Sequence, residues 1–251
     1  MNSIHWGSIT SVFLLIGCQV SFAQIDLSKY EIGISGSAFV YQGDLTPSLS
    51  GSLRTVRPGA GILVNRFLNH SFSVRANFSY GMLKGDDALY ASPVWRRERN
   101  FNFSTPLFET SVLAVWNVLG KNGSANNHGF APYLFAGVGY SFLNIKRDWS
   151  RMNISYFAGE TGTLNGLARD TTKHLSNSIP VLPIGVGVRY AVNEHFSIFT
   201  EWSYRITFTD YLDGFSYAAN PSKKDYYHSL SLGIVYTFHQ KNYMDCPVIK
   251  R

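Results

Sequence analysis

The amino-acid sequence predicts an all-β fold: an eight-stranded antiparallel transmembrane β-barrel with a plugged lumen, short periplasmic turns and longer outer loops. Three observations point there. Strand-length segments repeat a period of two, and long and short connections alternate between them. An apolar export-type segment comes first, and no later apolar run approaches the roughly 18 residues of a membrane helix. The 251 residues show no composition break, so one domain is expected.

At the N-terminus, Ile9 to Ile16 is short and apolar, and Ser21-Phe22-Ala23-Gln24 supplies a small-x-small cleavage site. Residues 1–23 are expected to be a secretory signal removed near Ala23, although only His5, and no Lys or Arg, precedes the apolar core. The alternative is Leu15-Ile16-Gly17-Cys18, which matches a lipoprotein box and would leave Cys18 acylated. If Cys18 leaves with the signal, Cys246 is the only cysteine, and no intramolecular disulfide can form. Residues 24–239 are then the barrel and 240–251 a C-terminal tail.

The clearest strand is Phe72 to Met82. Phe72, Val74, Ala76, Phe78, Tyr80 and Met82 fall on one face, and Ser73, Arg75, Asn77, Ser79 and Gly81 on the other. Eight segments of comparable pattern run from Tyr30 to Gln42, Pro58 to Phe67, Phe72 to Leu83, Asn100 to Val118, Pro132 to Ile145, Ile179 to Val192, Phe196 to Phe208 and Tyr226 to Phe238. In the second, both phases hold apolar residues and neither face is assigned. In the fourth, Pro106 and a slip of the apolar phase from Phe101 and Phe103 to Phe108, Val112 and Trp116 predict a bulge.

Leu68 to His70, Val192 to His195 and Gly120 to Gly129 are the short connections. Gly43 to Arg57, Lys84 to Arg99, Lys146 to Ser178 and Thr209 to Asp225 are the long ones. With an even strand count, both mature termini lie on the short-turn side, which for this class is the periplasm.

An Arg facing lipid near the midplane costs about 2–4 kcal/mol, so the Arg-bearing faces should point inward. The same phase puts Glu31, Glu109 and Glu201 in the lumen against Arg75, Arg189 and Arg205, a formally neutral set. Eight strands leave an interior that side chains fill. A packed ion-pair plug is therefore expected, with a proton or ion pathway as the alternative.

Other chemistry is sparse. The net charge of +6 comes with no basic stripe of interleaved aromatics, so no nucleic-acid partner is expected, and rim cations fit outer-membrane lipid and lipopolysaccharide instead. The seven His show no metal-ligand spacing, and no cofactor is expected. Asp86, Asp87, Asp210 and Asp213 are weak candidates for a divalent cation at the outer rim. Arg96, Arg97 and Arg99 form a concentrated basic patch that either holds anionic headgroups or is solvated. Lys173-His174-Leu175-Ser176 sets a His near a Ser, which reads as a polar loop because no third orienting group is apparent. Gly137, Gly139, Gly185 and Gly187 lie within strands and make room for bulky lumen neighbours.

The segment Glu201-Trp202-Ser203-Tyr204-Arg205-Ile206-Thr207-Phe208-Thr209-Asp210-Tyr211-Leu212-Asp213-Gly214 resembles the seventh strand and following loop of PorG-type barrels, outer-membrane components of the type IX secretion system. Tyr41-Gln42-Gly43-Asp44-Leu45, Arg99-Asn100-Phe101 and Pro132-Tyr133-Leu134-Phe135-Ala136-Gly137-Val138-Gly139 extend the likeness across most of the mature chain. The resemblance implies a non-enzymatic anchor that ties a periplasmic ring of PorK-type lipoproteins and PorN-type subunits to the outer membrane, and in some family members supports gliding. It carries over no catalytic residue. The chain departs from the pattern by continuing past Phe238 to Arg251, so the tail residues Lys241, Cys246, Lys250 and Arg251, with the turn from Lys121 to His128, are candidate ring contacts; a disordered end is the alternative. A lipid A-modifying enzyme and a small-solute channel are the competing functional readings.

Overall fold

The computed structural model describes residues 26–48, 50–120, 122, 129–220 and 224–238. The strands are β1 (Tyr30–Gln42), β2 (Arg57–Phe67), β3 (Phe72–Asp86), β4 (Asn102–Asn117), β5 (Gly129–Leu143), β6 (Lys146–Asp148), β7 (Ser178–Ala191), β8 (Phe196–Thr207) and β9 (Tyr226–Thr237). Eight of them follow the order β3-β2-β1-β9-β8-β7-β5-β4, and pairing of β3 with β4 closes the ring. All pairings are antiparallel. The short β6 pairs with β4 in the register of β5, so β5 and β6 are one strand interrupted at Asn144 and Ile145.

Every pairing joins residues of equal parity, for example Glu31 with Asn65, Arg75 with Leu113 and Glu201 with Ser231. Side chains at paired positions share a face, so odd-numbered residues line the lumen in all eight strands and even-numbered ones face outward. This assigns β2, with Leu63, Asn65 and Phe67 inward and Ile62, Val64 and Arg66 outward. It also removes the bulge expected near Pro106. The β3–β4 register is unbroken from Asp86↔Asn102 to Phe72↔Trp116, with Pro106 opposite Met82. The apolar phase slips because the lumen itself changes character: Phe103 and Leu107 stay inward but meet an apolar cap rather than charges.

Two of the short connections are built alike. Asn69 Oδ1 accepts the backbone N–H groups of Ser71 and Phe72 at 2.9 and 2.8 Å, and Asn193 Oδ1 accepts those of His195 and Phe196 at the same distances. Each side chain replaces part of the ladder that the turn breaks. The end of β9 joins the start of β1 through the Phe238 N–H bond to the Tyr30 carbonyl at 3.2 Å, at the same end of the barrel.

The long connections fold over the other mouth. They carry two helices, α1 (Val94–Arg99) and α2 (Thr161–Thr172), which strand periodicity does not reveal. Asn100, at φ 50°, ends α1 in the left-handed conformation and donates its N–H to the Arg96 carbonyl at 2.8 Å. Asp170 of α2 accepts backbone N–H groups of Ser216, Tyr217 and Ala218, binding the helix to the last loop. Leu45, Phe101, Met152, Phe157, Leu212 and Phe215 from these connections pack with Phe39, Leu83 and Phe103 of the wall into one buried cluster.

A Cβ at Gly137 would lie 2.0 Å from the Val112 carbonyl oxygen, whereas one at outward-facing Gly36 meets nothing within 4 Å. Gly137→Val should therefore eliminate the heat-modifiable folded species on electrophoresis. Gly36→Ala should leave stability within about 0.5 kcal/mol of the parent.

Candidate functional site: a laced lumen beneath an apolar cap

The lumen brings the six charged residues together as three pairs. Arg75 of β3 pairs with Glu201 of β8, Arg189 of β7 with Glu31 of β1 at 2.5 Å, and Arg205 of β8 with Glu109 of β4 at 3.2 Å. None of these pairs joins neighbouring strands: β3 and β8 stand on opposite sides of the ring, and the other partners are three strands apart. The bonds cross the lumen rather than run along its wall.

Each carboxylate also accepts a hydrogen bond from a neutral side chain. Tyr133 Oη donates to Glu201 at 2.6 Å, Asn65 Nδ2 to Glu31 at 2.9 Å and Tyr227 Oη to Glu109 at 2.8 Å. Arg75 lies 5.4 Å from the Tyr133 ring centroid, and Arg205 lies 5.5 Å from that of Phe39. The Arg75 and Glu31 side chains are 1% and 0% exposed, so each charge depends on its partner. A polar void of ≈ 20 Å³ bordered by Ser79, Glu109, Ser111, Glu201 and Arg205 holds about one water molecule, not an aqueous passage.

Above the pairs, the cap encloses carboxyls. Tyr41 Oη lies 2.8 Å from Asp213 Oδ2 and 2.5 Å from Asp225 Oδ1. One phenolic hydrogen serves one of these contacts; the other closes when that carboxyl keeps a proton and donates it to Tyr41. Burial, with the acidic neighbours Asp44 and Asp210, holds the Asp213 carboxyl well above the ordinary carboxylate range, and burial with Asp213 does the same for Asp225. Asp210, where burial adds to the charges of Asp44 and Asp170, is pushed up to about 7.

The outward face carries two aromatic rows. Phe72, Trp116, Phe130, Tyr190 and Phe196 ring the end with the short turns, and Tyr80, Phe108, Tyr140 and Phe142 stand towards the capped end. Between them lie Val74, Val112, Val138, Val186, Ile198, Leu232 and Ile234, all exposed. From Phe72 to Tyr80 a tilted strand rises about 20 Å, close to the apolar band of a membrane barrel.

Residues 8–244 match the family described as Domain of unknown function DUF6089. The chain belongs to the DUF6089 family. No curated protein matches it. Among solved structures, it is similar to Neisserial surface protein A, with 14% identity, 84% of this chain and 97% of that chain covered, and a TM-score of 0.46. It is similar to the attachment invasion locus protein Ail of Yersinia pestis, solved with the heparin analogue sucrose octasulfate, at 14% identity, 83% and 97% coverage and a TM-score of 0.44. The outer membrane protein OprG from Pseudomonas aeruginosa follows at 12% identity, 84% and 97% coverage and a TM-score of 0.44.

In this DUF6089 barrel, Asp210 neighbours Asp213, but the four rim aspartates form no common cation site. Asp87 is buried between Arg96 at 3.2 Å and Arg99 at 2.6 Å, Asp86 accepts the Ala88 N–H, and Asp213 is held by Tyr41. Among the described residues, no group of three or more His, Cys, Asp or Glu is placed to hold a metal ion. The same clamp on Asp87 corrects the reading of the basic patch: Arg96 and Arg99 turn inward, and Arg96 also donates to the Asp44 and Thr46 carbonyls. Only Arg97 of the three is exposed. Ser176 donates its hydroxyl to the Ser178 carbonyl at 2.7 Å rather than to His174. Gly185 and Gly187 leave room for the rings of Phe135 and Tyr133, whereas Gly137 and Gly139 sit against the backbone of β4. The signal with Cys18, and Lys121, His128, Lys241, Cys246, Lys250 and Arg251, lie outside the described residues.

Glu201→Ala leaves the buried Arg75 without its counter-charge, a loss of about 3–5 kcal/mol that should appear as a lower melting temperature in detergent. Asp213 and Asp225 bind protons in the folded state that the unfolded chain releases near pH about 4. Stability should therefore fall as pH rises above the ordinary carboxylate range, and Asp213→Asn should flatten that slope in melting curves between mildly acidic and neutral pH.

Proposed function

We propose that this protein is an integral outer-membrane barrel that acts as a closed, non-enzymatic anchor, tying a periplasmic ring of the PorK and PorN type to the membrane as part of a type IX secretion machine. One observation carries the anchoring reading: the lumen is crossed by three ion pairs and sealed by an apolar cap, so the wall and its two ends are what remain for function. The two aromatic rows support residence in a bilayer. The partner assignment rests on the PorG-type sequence resemblance, which spans strands and loops in order.

Orientation follows from the same frame. The described strand termini, Tyr30 and Thr237, lie at the end with the Leu68–Ser71 and Val192–His195 turns. On this reading that end is periplasmic and the cap is external, and the described chain ends, at Phe238, on the side of the ring. Passive export of cargo through the lumen has no place in this arrangement; the barrel positions a machine whose passage lies elsewhere.

Deleting Asn242 to Arg251 should reduce co-purification of PorK- and PorN-type subunits from native membranes while the barrel stays heat-modifiable. Undiminished recovery of the ring would remove the tail from the interface, and absence of ring subunits from crosslinked complexes of the unaltered protein would refute the anchor.

A further inference from the structure

The barrel's outer rim is uneven. β3, β4 and the β5–β6 strand extend six residues beyond the point where β7 joins, at Phe142↔Ser178, and form a three-stranded ribbon. Its inward face, with Leu83, Phe103 and Ile145, backs the cap. Its outward face has no such partner.

Across that outward face the register aligns Lys84 with Ser104 and Ser104 with Lys146. The outer strands are two spacings apart, so the lysine backbones are separated by about 10 Å. Among the described residues, neither ammonium forms an ion pair or hydrogen bond. Four residues nearer the membrane, the same three strands carry Tyr80, Phe108 and Phe142 in one row, with the Phe108 and Phe142 rings stacked at 6.3 Å. Two residues further out lie Asp86, Asn102 and Asp148. The ribbon is thus apolar, then cationic, then acidic, in the direction away from the lipid.

From this order we infer that the ribbon is a binding site for a phosphorylated headgroup of an outer-leaflet lipid, with Lys84 and Lys146 flanking the phosphate groups on either side of Ser104, whose hydroxyl is turned to Met82 Sδ at 3.3 Å, and the acyl chains lying over Phe108 and Phe142. The inference rests on the outer-membrane reading of the chain. A cation pair at the top of an aromatic row meets anionic headgroups at the depth where phosphates sit, and the lysines, strongly hydrated point charges on flexible stems, adapt to phosphates at varying separation. The acidic row sets an upper edge: a headgroup displaced outward would meet Asp86 and Asp148. This makes the ribbon a depth gauge as well as a binding site.

The test uses the full mature chain in detergent, with diphosphoryl lipid A as probe and native mass spectrometry as readout. Wild-type protein should retain the lipid, and Lys84→Ala with Lys146→Ala should weaken retention about thirtyfold. Arginine at both positions should preserve it, and dephosphorylated lipid A should bind the wild type as weakly as the alanine variant binds the phosphorylated form. Equal retention by the alanine variant would overturn the site, and displacement of the lipid by equimolar inorganic phosphate would overturn the lipid assignment. Insertion into vesicles of zwitterionic lipid is scored separately: failure there by the wild type would refute the membrane reading, whereas insertion with unaltered lipid A retention by the alanine variant would refute this inference alone.

Discussion

A chain that crosses hydrocarbon must satisfy each backbone N–H and C=O within itself, and for strands the only solution is a closed ladder. The β3–β4 pairing that closes this ring sets the conditions for everything else. Closure with equal-parity registers sends all odd-numbered strand residues inward, and the lumen they enter is too narrow for free solvent. Arg75, Arg189 and Arg205 thereby lose their hydration and must recover it from Glu201, Glu31 and Glu109. Because partners lie across the ring, the pairs also resist ovalisation of the barrel, an outcome that wall-to-neighbour pairs would not provide.

Much of this barrel is legible in its sequence. Strict alternation in segments such as Phe72–Met82 and Phe196–Phe208 reports a two-faced strand directly, and the cost of an Arg in lipid tells which face is inside. The six lumen charges follow from that parity alone. Their partners do not, since pairing across a lumen depends on strand tilt and register that local pattern does not encode. Pro106 shows how a local rule misleads. An apolar phase change usually marks a bulge, but here the strand stays in phase while its surroundings change from a charged lumen to an apolar cap.

The cap is far less legible. Its anchors are scattered: Leu45, Phe101, Met152 and Phe215 come from four connections, and no periodicity joins them. By sequence position Asp87, Asp213 and Asp225 are rim or turn carboxylates, whereas their partners Arg96, Arg99 and Tyr41 draw them into buried positions. The signal that separates the two readings is composition rather than spacing: long loops this rich in aromatic and apolar residues have a core of their own to build. The long loops are therefore a second layer of the fold, closing the mouth that the ion pairs brace from below.

Planar-bilayer recording on the purified full mature chain tests the closed-lumen account most directly. The account predicts no unitary conductance above baseline in monovalent salt at neutral pH, because three transverse ion pairs and an apolar cap occupy the path in series. Stable, reproducible conductance steps from the wild-type barrel would contradict it.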